Sequence, residues 1–107
     1  MTGLYTSGDW HVKEGSADAF IDAWTELAEW TISSVPGCTF AKLLRDQEDP
    51  NRFLSFSPWR DERAVATWRG LPGFSERVGR LQELLQEFTP RTMKVVGEAG
   101  PATPDPW

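Results

Sequence analysis

An α+β fold of the ferredoxin-like type, ordered β-α-β-β-α-β with its second helix broken in two, is predicted by three features of the sequence. An amphipathic helix lies early in the chain, two apolar runs flank one short polar loop, and a glycine-interrupted helical region precedes a final alternating segment. Together these give a four-stranded antiparallel sheet with the helices on one face.

The elements follow in order. Leu4 to Val12 mixes β-favouring and polar side chains without a helical stripe, which predicts a strand. Lys13-Glu14-Gly15 turns the chain, and Ser16 is placed as an N-cap with Asp18 in the first helical turn. Ala17, Phe20, Ile21, Trp24, Leu27, Ala28 and Thr31 then recur at three- and four-residue spacing, predicting a helix that stops before Pro36-Gly37. Cys38 to Arg45 and Arg52 to Ser57 are predicted as a hairpin across a polar loop, with Pro58 ending the second of these strands. Asp61 is the expected N-cap of a short helix carrying Ala64, Val65 and Trp68, and Gly70 to Gly73 interrupts it. Phe74, Val78, Leu81, Leu85 and Phe88 predict a longer helix ending at Pro90, and Arg91 to Glu98 a last strand. One domain is expected over residues 1–99, followed by a Pro-rich, extended tail over 100–107.

Composition excludes several classes. A net charge of −5 argues against a nucleic-acid or anionic-membrane surface, which needs clustered Lys and Arg. No apolar run reaches the length of a membrane span, and MTGLYTSGDW lacks a basic region followed by an apolar one, so no signal peptide is expected. Cys38 is the single cysteine, which excludes an internal disulfide and fits a cytoplasmic location. No Cys/His cluster has zinc spacing, and no glycine-rich phosphate loop or nucleophile elbow is present, so neither metal nor cofactor is expected.

Six of the 107 residues are Trp. A core of this size covers about three or four such rings, so the excess points to a pocket or a partner. Helices on one face leave the other face bare, and Tyr5, Phe40, Leu54, Phe56 and Met93 supply more large side chains than one face needs. A second copy over that bare face is the expected partner.

Several residues are candidates for chemistry. His11, the only imidazole, is either a general base near neutral pH or an exposed strand-end histidine. Tyr5 is either a proton donor on the sheet or a packed ring. Ser55 and Ser57 share one strand face with Phe53, where buried hydroxyls need partners that a pocket can supply. Trp59 and Trp68 either wall a ligand site, with Gly70 to Gly73 as its edge, or anchor the short helix. Trp24 belongs to the helical core stripe, and Trp30 lies off it, suiting an interface or a partly exposed ring. Arg60, Arg63 and Arg69 form a solvated face with Asp61 and Glu62.

Four segments carry a family resemblance: WHVKEGSADAFIDAW entering the first helix, PGC before the second strand, RDQEDPNRFLSFSPW through the hairpin, and ATWRGLPGFSERVGRL. In order and spacing, from Gly8 to Gly97, the chain resembles the antibiotic biosynthesis monooxygenase family of dimeric α+β barrel proteins. The resemblance implies a homodimer, paired through its sheet faces, that oxidises a small phenolic or polyketide-type aromatic with dioxygen and no cofactor. The family's haem-degrading branch uses an Asn, a Trp and a His at positions matching Gly8, Trp68 and Val78, where only the Trp is present. Its polyketide-oxidising branch uses an Asn, a Trp and a Tyr at positions matching Ser55, Trp59 and Val65, and again only the Trp is kept. The expected site therefore comprises His11, Tyr5 and Ser55 as catalytic groups, with Trp59, Trp68, Ser57 and Phe74 around the substrate. Two alternatives share the scaffold: a non-catalytic small-molecule binder or accessory subunit, and a proton-transfer isomerase or cyclase.

Overall fold

The computed structural model describes residues 3–100; the tail over 101–107, with Trp107, lies outside the described residues. The order is β1 (Leu4–Val12), α1 (Ala17–Ser34), β2 (Lys42–Arg45), β3 (Arg52–Trp59), α2 (Glu62–Gly70), α3 (Phe74–Gln82) and β4 (Leu85–Lys94). All strand pairs are antiparallel and run β2-β3-β1-β4 across the sheet, the ferredoxin-like arrangement. No helix among the described residues is long and apolar enough to cross a membrane.

Alternation along the strands sorts the side chains onto two faces. The register pairs Trp10 with Phe53 and Phe88, Gly8 with Ser55 and Pro90, and Thr6 with Ser57 and Thr92, and these rungs face the helices. Tyr5, Ser7, Asp9 and His11 alternate to the opposite face, beside Pro58, Phe56, Leu54 and Arg52.

Three boundaries differ from the sequence expectation, each for a physical reason. β2 begins at Lys42 rather than Cys38. The Gly37 carbonyl accepts from Arg60 N–H at 2.8 Å, which holds residues 36–38 against the entry to α2 and away from the ladder. β3 runs through Pro58 to Trp59, because β2 pairs no further than Phe56 and leaves no neighbour on that side to need the missing N–H. The helix expected through Phe88 stops at Gln82, and Leu85 to Lys94 is strand. Val12 pairs with Leu85 but His11 with Glu87, so a bulge at Gln86 puts Leu85 and Phe88 on the same face. That three-residue spacing imitates a helical stripe. Pro90 is tolerated because β4 is an edge strand.

The caps are only partly as expected. Asp61 accepts from Ala64 N–H at 2.8 Å and caps α2. Ser16 occupies the N-cap of α1, but its side chain makes no capping bond. Gly73 opens α3 at φ 94°, a left-handed conformation that glycine adopts without a steric penalty.

The core is in two parts. Trp10, Val12, Phe20, Leu27, Phe53 and Leu81 pack at one end, where Trp10 stacks on Phe88 with centroids 4.0 Å apart. Val35, Cys38, Trp59, Ala64 and Val65 pack at the other. Trp30 is half-buried inside the chain, with the Arg77 guanidinium 4.4 Å above its ring, so α3 covers it without a partner. Close packing of α2 rests on Gly37, where an added Cβ would come within 2.5 Å of the Ala64 Cβ. Gly37→Ala is therefore expected to lower unfolding free energy by about 1–3 kcal/mol, read from urea denaturation.

Candidate functional site

Small residues separate the two core clusters. Between the Trp10–Phe53 rung and the Leu4–Trp59 rung, the helix-facing side of β1 and β3 carries only Gly8, Ser55, Thr6 and Ser57. No large side chain rises there to meet α1, and a cavity of about 580 Å³ remains between sheet and helices. Trp24, Leu27 and Ala28 of α1, Trp68 of α2, and Phe74 and Val78 of α3 wall it. Trp10, Phe88 and Pro90 close it along the sheet.

The polar groups on this lining are organised by tryptophans. An indole N–H can only donate, so each hydroxyl partner must accept. Trp10 Nε1 donates to Ser55 Oγ at 2.9 Å, Trp59 Nε1 to Thr6 Oγ1 at 2.7 Å, and Trp68 Nε1 to Thr31 Oγ1 at 2.8 Å. Thr31 passes its own proton to the Leu27 carbonyl at 2.8 Å, and Thr6 and Ser57 share a bond of 3.0 Å. Burial pushes the Cys38 thiol up from its usual range, only partly opposed by hydrogen bonding to Ser57. The thiol is thus a protonated donor, reaching the Phe40 carbonyl at 3.5 Å. Arg69 also lines the cavity, whereas the Arg91 side chain, level with Ser7, alternates to the opposite face; among the described residues no carboxylate, imidazole or phenol lines it.

Of the residues expected at a site, Ser55, Ser57, Trp68 and Phe74 come together on this lining. Trp59 is fully buried behind Trp68, with ring centroids 4.9 Å apart, and Trp68 meets Phe74 edge-on at 4.8 Å. Trp59 thus anchors the wall without facing the cavity. His11 and Tyr5 do not line it: they occupy odd positions of β1, and alternation turns them to the opposite face of the sheet. Val65 packs in the second core cluster. Trp24 combines packing against the core with a place on the cavity wall. Trp10, Gly8, Thr6, Thr31 and Cys38 also line the cavity and are not among the site residues expected from the sequence. The signal for three of them is the alternation Thr6, Gly8, Trp10, which gains meaning only once β1 is registered against Ser57, Ser55 and Phe53.

Gly8 has a specific use. A Cβ there would lie 2.6 Å from Trp10 Nε1, so the absent side chain is what lets the indole lie across the strand and reach Ser55.

A family model described as antibiotic biosynthesis monooxygenase matches residues 6–80. Among solved structures, the chain is similar to SnoaB, a cofactor-independent oxygenase from Streptomyces nogalater, at 19% identity and TM-score 0.81, covering 89% of this chain and 94% of that one. It is similar to an antibiotic biosynthesis monooxygenase at 25% identity and TM-score 0.75, over 88% of this chain and 99% of the other. A conserved protein from Methanosarcina mazei Go1 shares the fold at 21% identity and TM-score 0.79, over 88% and 93% of the two chains. No curated protein of matching sequence was found.

Proposed function

Because the chain belongs to the antibiotic biosynthesis monooxygenase family, we propose that it oxidises a small phenolic or polyketide-type aromatic with dioxygen, within the cavity between sheet and helices and without a cofactor. The observation that carries this reading is the lining: aromatic and aliphatic walls around a few hydroxyls, with no basic side chain except arginine among the described residues. Such a site holds a flat ring system, orients its oxygens and keeps water away from the carbon that reacts.

The substrate supplies the electrons. An anthrone ionises to its enolate, which reduces dioxygen, and carbon–oxygen bond formation gives a hydroperoxide at the former methylene carbon. Loss of water then leaves a carbonyl. One oxygen atom enters the ring system, the other departs as water with the two methylene hydrogens, and the substrate loses four electrons. With no carboxylate or imidazole among the described residues of the lining, the acidity has to come from the substrate itself, which selects anthrones and quinols over unactivated aromatics. Ser55 supplies a hydrogen bond to the substrate oxygen, and Trp68, Phe74 and Trp24 hold the rings.

Oxygen uptake with a panel of anthrones and quinols tests this. One dioxygen consumed per quinone formed, above the rate in buffer, supports it; no uptake above that rate sinks it. A second reading, a binder on the same scaffold, draws on the same missing base. Quenching of Trp fluorescence by those compounds without oxygen uptake would favour it.

The partner is a second copy of the chain. On the open sheet face Leu44, Leu54 and Met93 are 49%, 45% and 51% exposed, around Tyr5 and Phe56 with ring centroids 6.4 Å apart. Apolar side chains in that arrangement gain by pairing face to face. Light scattering is expected to give twice the chain mass, and Leu54→Lys the single mass. A wild-type monomer at micromolar concentration would contradict the pairing.

A further inference from the structure

We propose that Trp10 and Ser55 together form an oxyanion site, so that the cavity binds the ionised form of a phenolic ligand in preference to the neutral form. The proposal rests on the reading of the cavity as an aromatic-ligand site and adds which ionisation state is recognised and which residue sets it.

Hydrogen-bond inventory carries the inference. A serine hydroxyl has one proton to give and two lone pairs to accept with. Ser55 is 8% exposed, and its oxygen accepts from the Trp10 indole, which is 5% exposed. That is its only side-chain hydrogen bond among the described residues, so its proton has no protein acceptor and the cavity is the space it lines. The other buried hydroxyls differ. Thr31 gives its proton to a carbonyl, and the proton left over from the Thr6–Ser57 pair has the Cys38 sulfur within reach. Among the buried hydroxyls of the lining, Thr6, Thr31 and Ser55, only Ser55 has a proton with no protein acceptor.

The indole improves that donor. Donation into Ser55 Oγ polarises the hydroxyl and strengthens the bond it makes onward, as in any chain of hydrogen bonds. A bond from such a hydroxyl to a phenolate oxygen is charge-assisted, whereas the same bond to a neutral phenol is not. The surroundings agree in sign. Among the described residues the titratable side chains facing the cavity are Cys38 and Arg69, with none from α1 or α3, so no fixed negative charge there opposes the anion. The indole is itself held in place, stacked on Phe88 with an interplanar angle of 13° and lying over Gly8. Trp10 is thus a positioning residue, acting on the ligand through Ser55.

The test uses 2-hydroxyanthraquinone, whose phenolate absorbs at longer wavelength than its phenol, titrated free and bound to the full chain. The phenolate is expected to bind about tenfold or more tightly than the phenol, seen as ionisation of the bound dye about one pH unit or more below the free dye. Trp10→Phe, which keeps a ring but has no N–H, and Ser55→Ala should each erase most of that shift. Ser55→Thr, which keeps the hydroxyl, should retain it. If Trp10→Phe does not fold, the Ser55→Ala and Ser55→Thr pair still decides the outcome. Dye that binds but ionises as it does in solution, or a shift that survives Ser55→Ala, overturns the oxyanion site and leaves the cavity reading standing. Dye that does not bind at all overturns both.

Discussion

Replacing Trp59 with alanine is expected to lower unfolding free energy by about 3–5 kcal/mol, the range for deleting a large aromatic from a core. The side chain is fully buried, packs against Trp68 and gives its indole proton to Thr6. Domains of this size are stable by about 5–15 kcal/mol, so the deletion removes between about a fifth and all of that margin. Trp59→Phe separates the two contributions. It keeps a ring behind Trp68 and loses the hydrogen bond, at a cost of about 1 kcal/mol, because Thr6 still has Ser57 as a partner. Urea denaturation followed by circular dichroism measures both. An unchanged midpoint in Trp59→Ala would mean that the second core cluster does not depend on it.

Ser55→Ala is expected to reduce oxygen uptake by about 10²–10³-fold, the usual effect of removing one donor to a developing oxyanion. It should also cost about 1–3 kcal/mol of stability, since the Trp10 N–H is left buried without its acceptor. The uptake is therefore to be compared at equal folded concentration. His11→Ala makes the contrast. The imidazole projects from the other face of the sheet, so uptake should be unchanged. Full activity in Ser55→Ala together with lost activity in His11→Ala would move the chemistry to the open face.

The fold was legible because its signals are local. The stripe from Ala17 to Thr31, the breaker at Pro36-Gly37 and the cap at Asp61 each act within a few residues. The end of α3 was not legible, because the bulge at Gln86 gives Leu85 and Phe88 a helix-like spacing within a strand. The site was half legible. Ser55 and Ser57 stood out as polar residues between Phe53 and Trp59, and Trp68 and Phe74 flanked the glycine break. His11 drew notice as the only imidazole, but its face of the sheet depends on the register of β1 against β3, which pairs residues more than forty positions apart in the chain. The same long-range register makes Gly8 the seat of Trp10 and brings Trp10 to Ser55. Likewise, the split of the core around the cavity is a property of paired strands, and no single stretch of sequence encodes it.

Blocking the cavity tests most directly where the reaction occurs. Ala28 lines it from α1 and is half-buried, so Ala28→Phe places a ring in the space without removing any hydrogen-bonding group. Oxygen uptake with an anthrone turned over by the wild type, measured on folded Ala28→Phe, is the decisive comparison. Uptake falling to the rate in buffer is the expected result. Uptake persisting at the wild-type rate would contradict a reaction between sheet and helices.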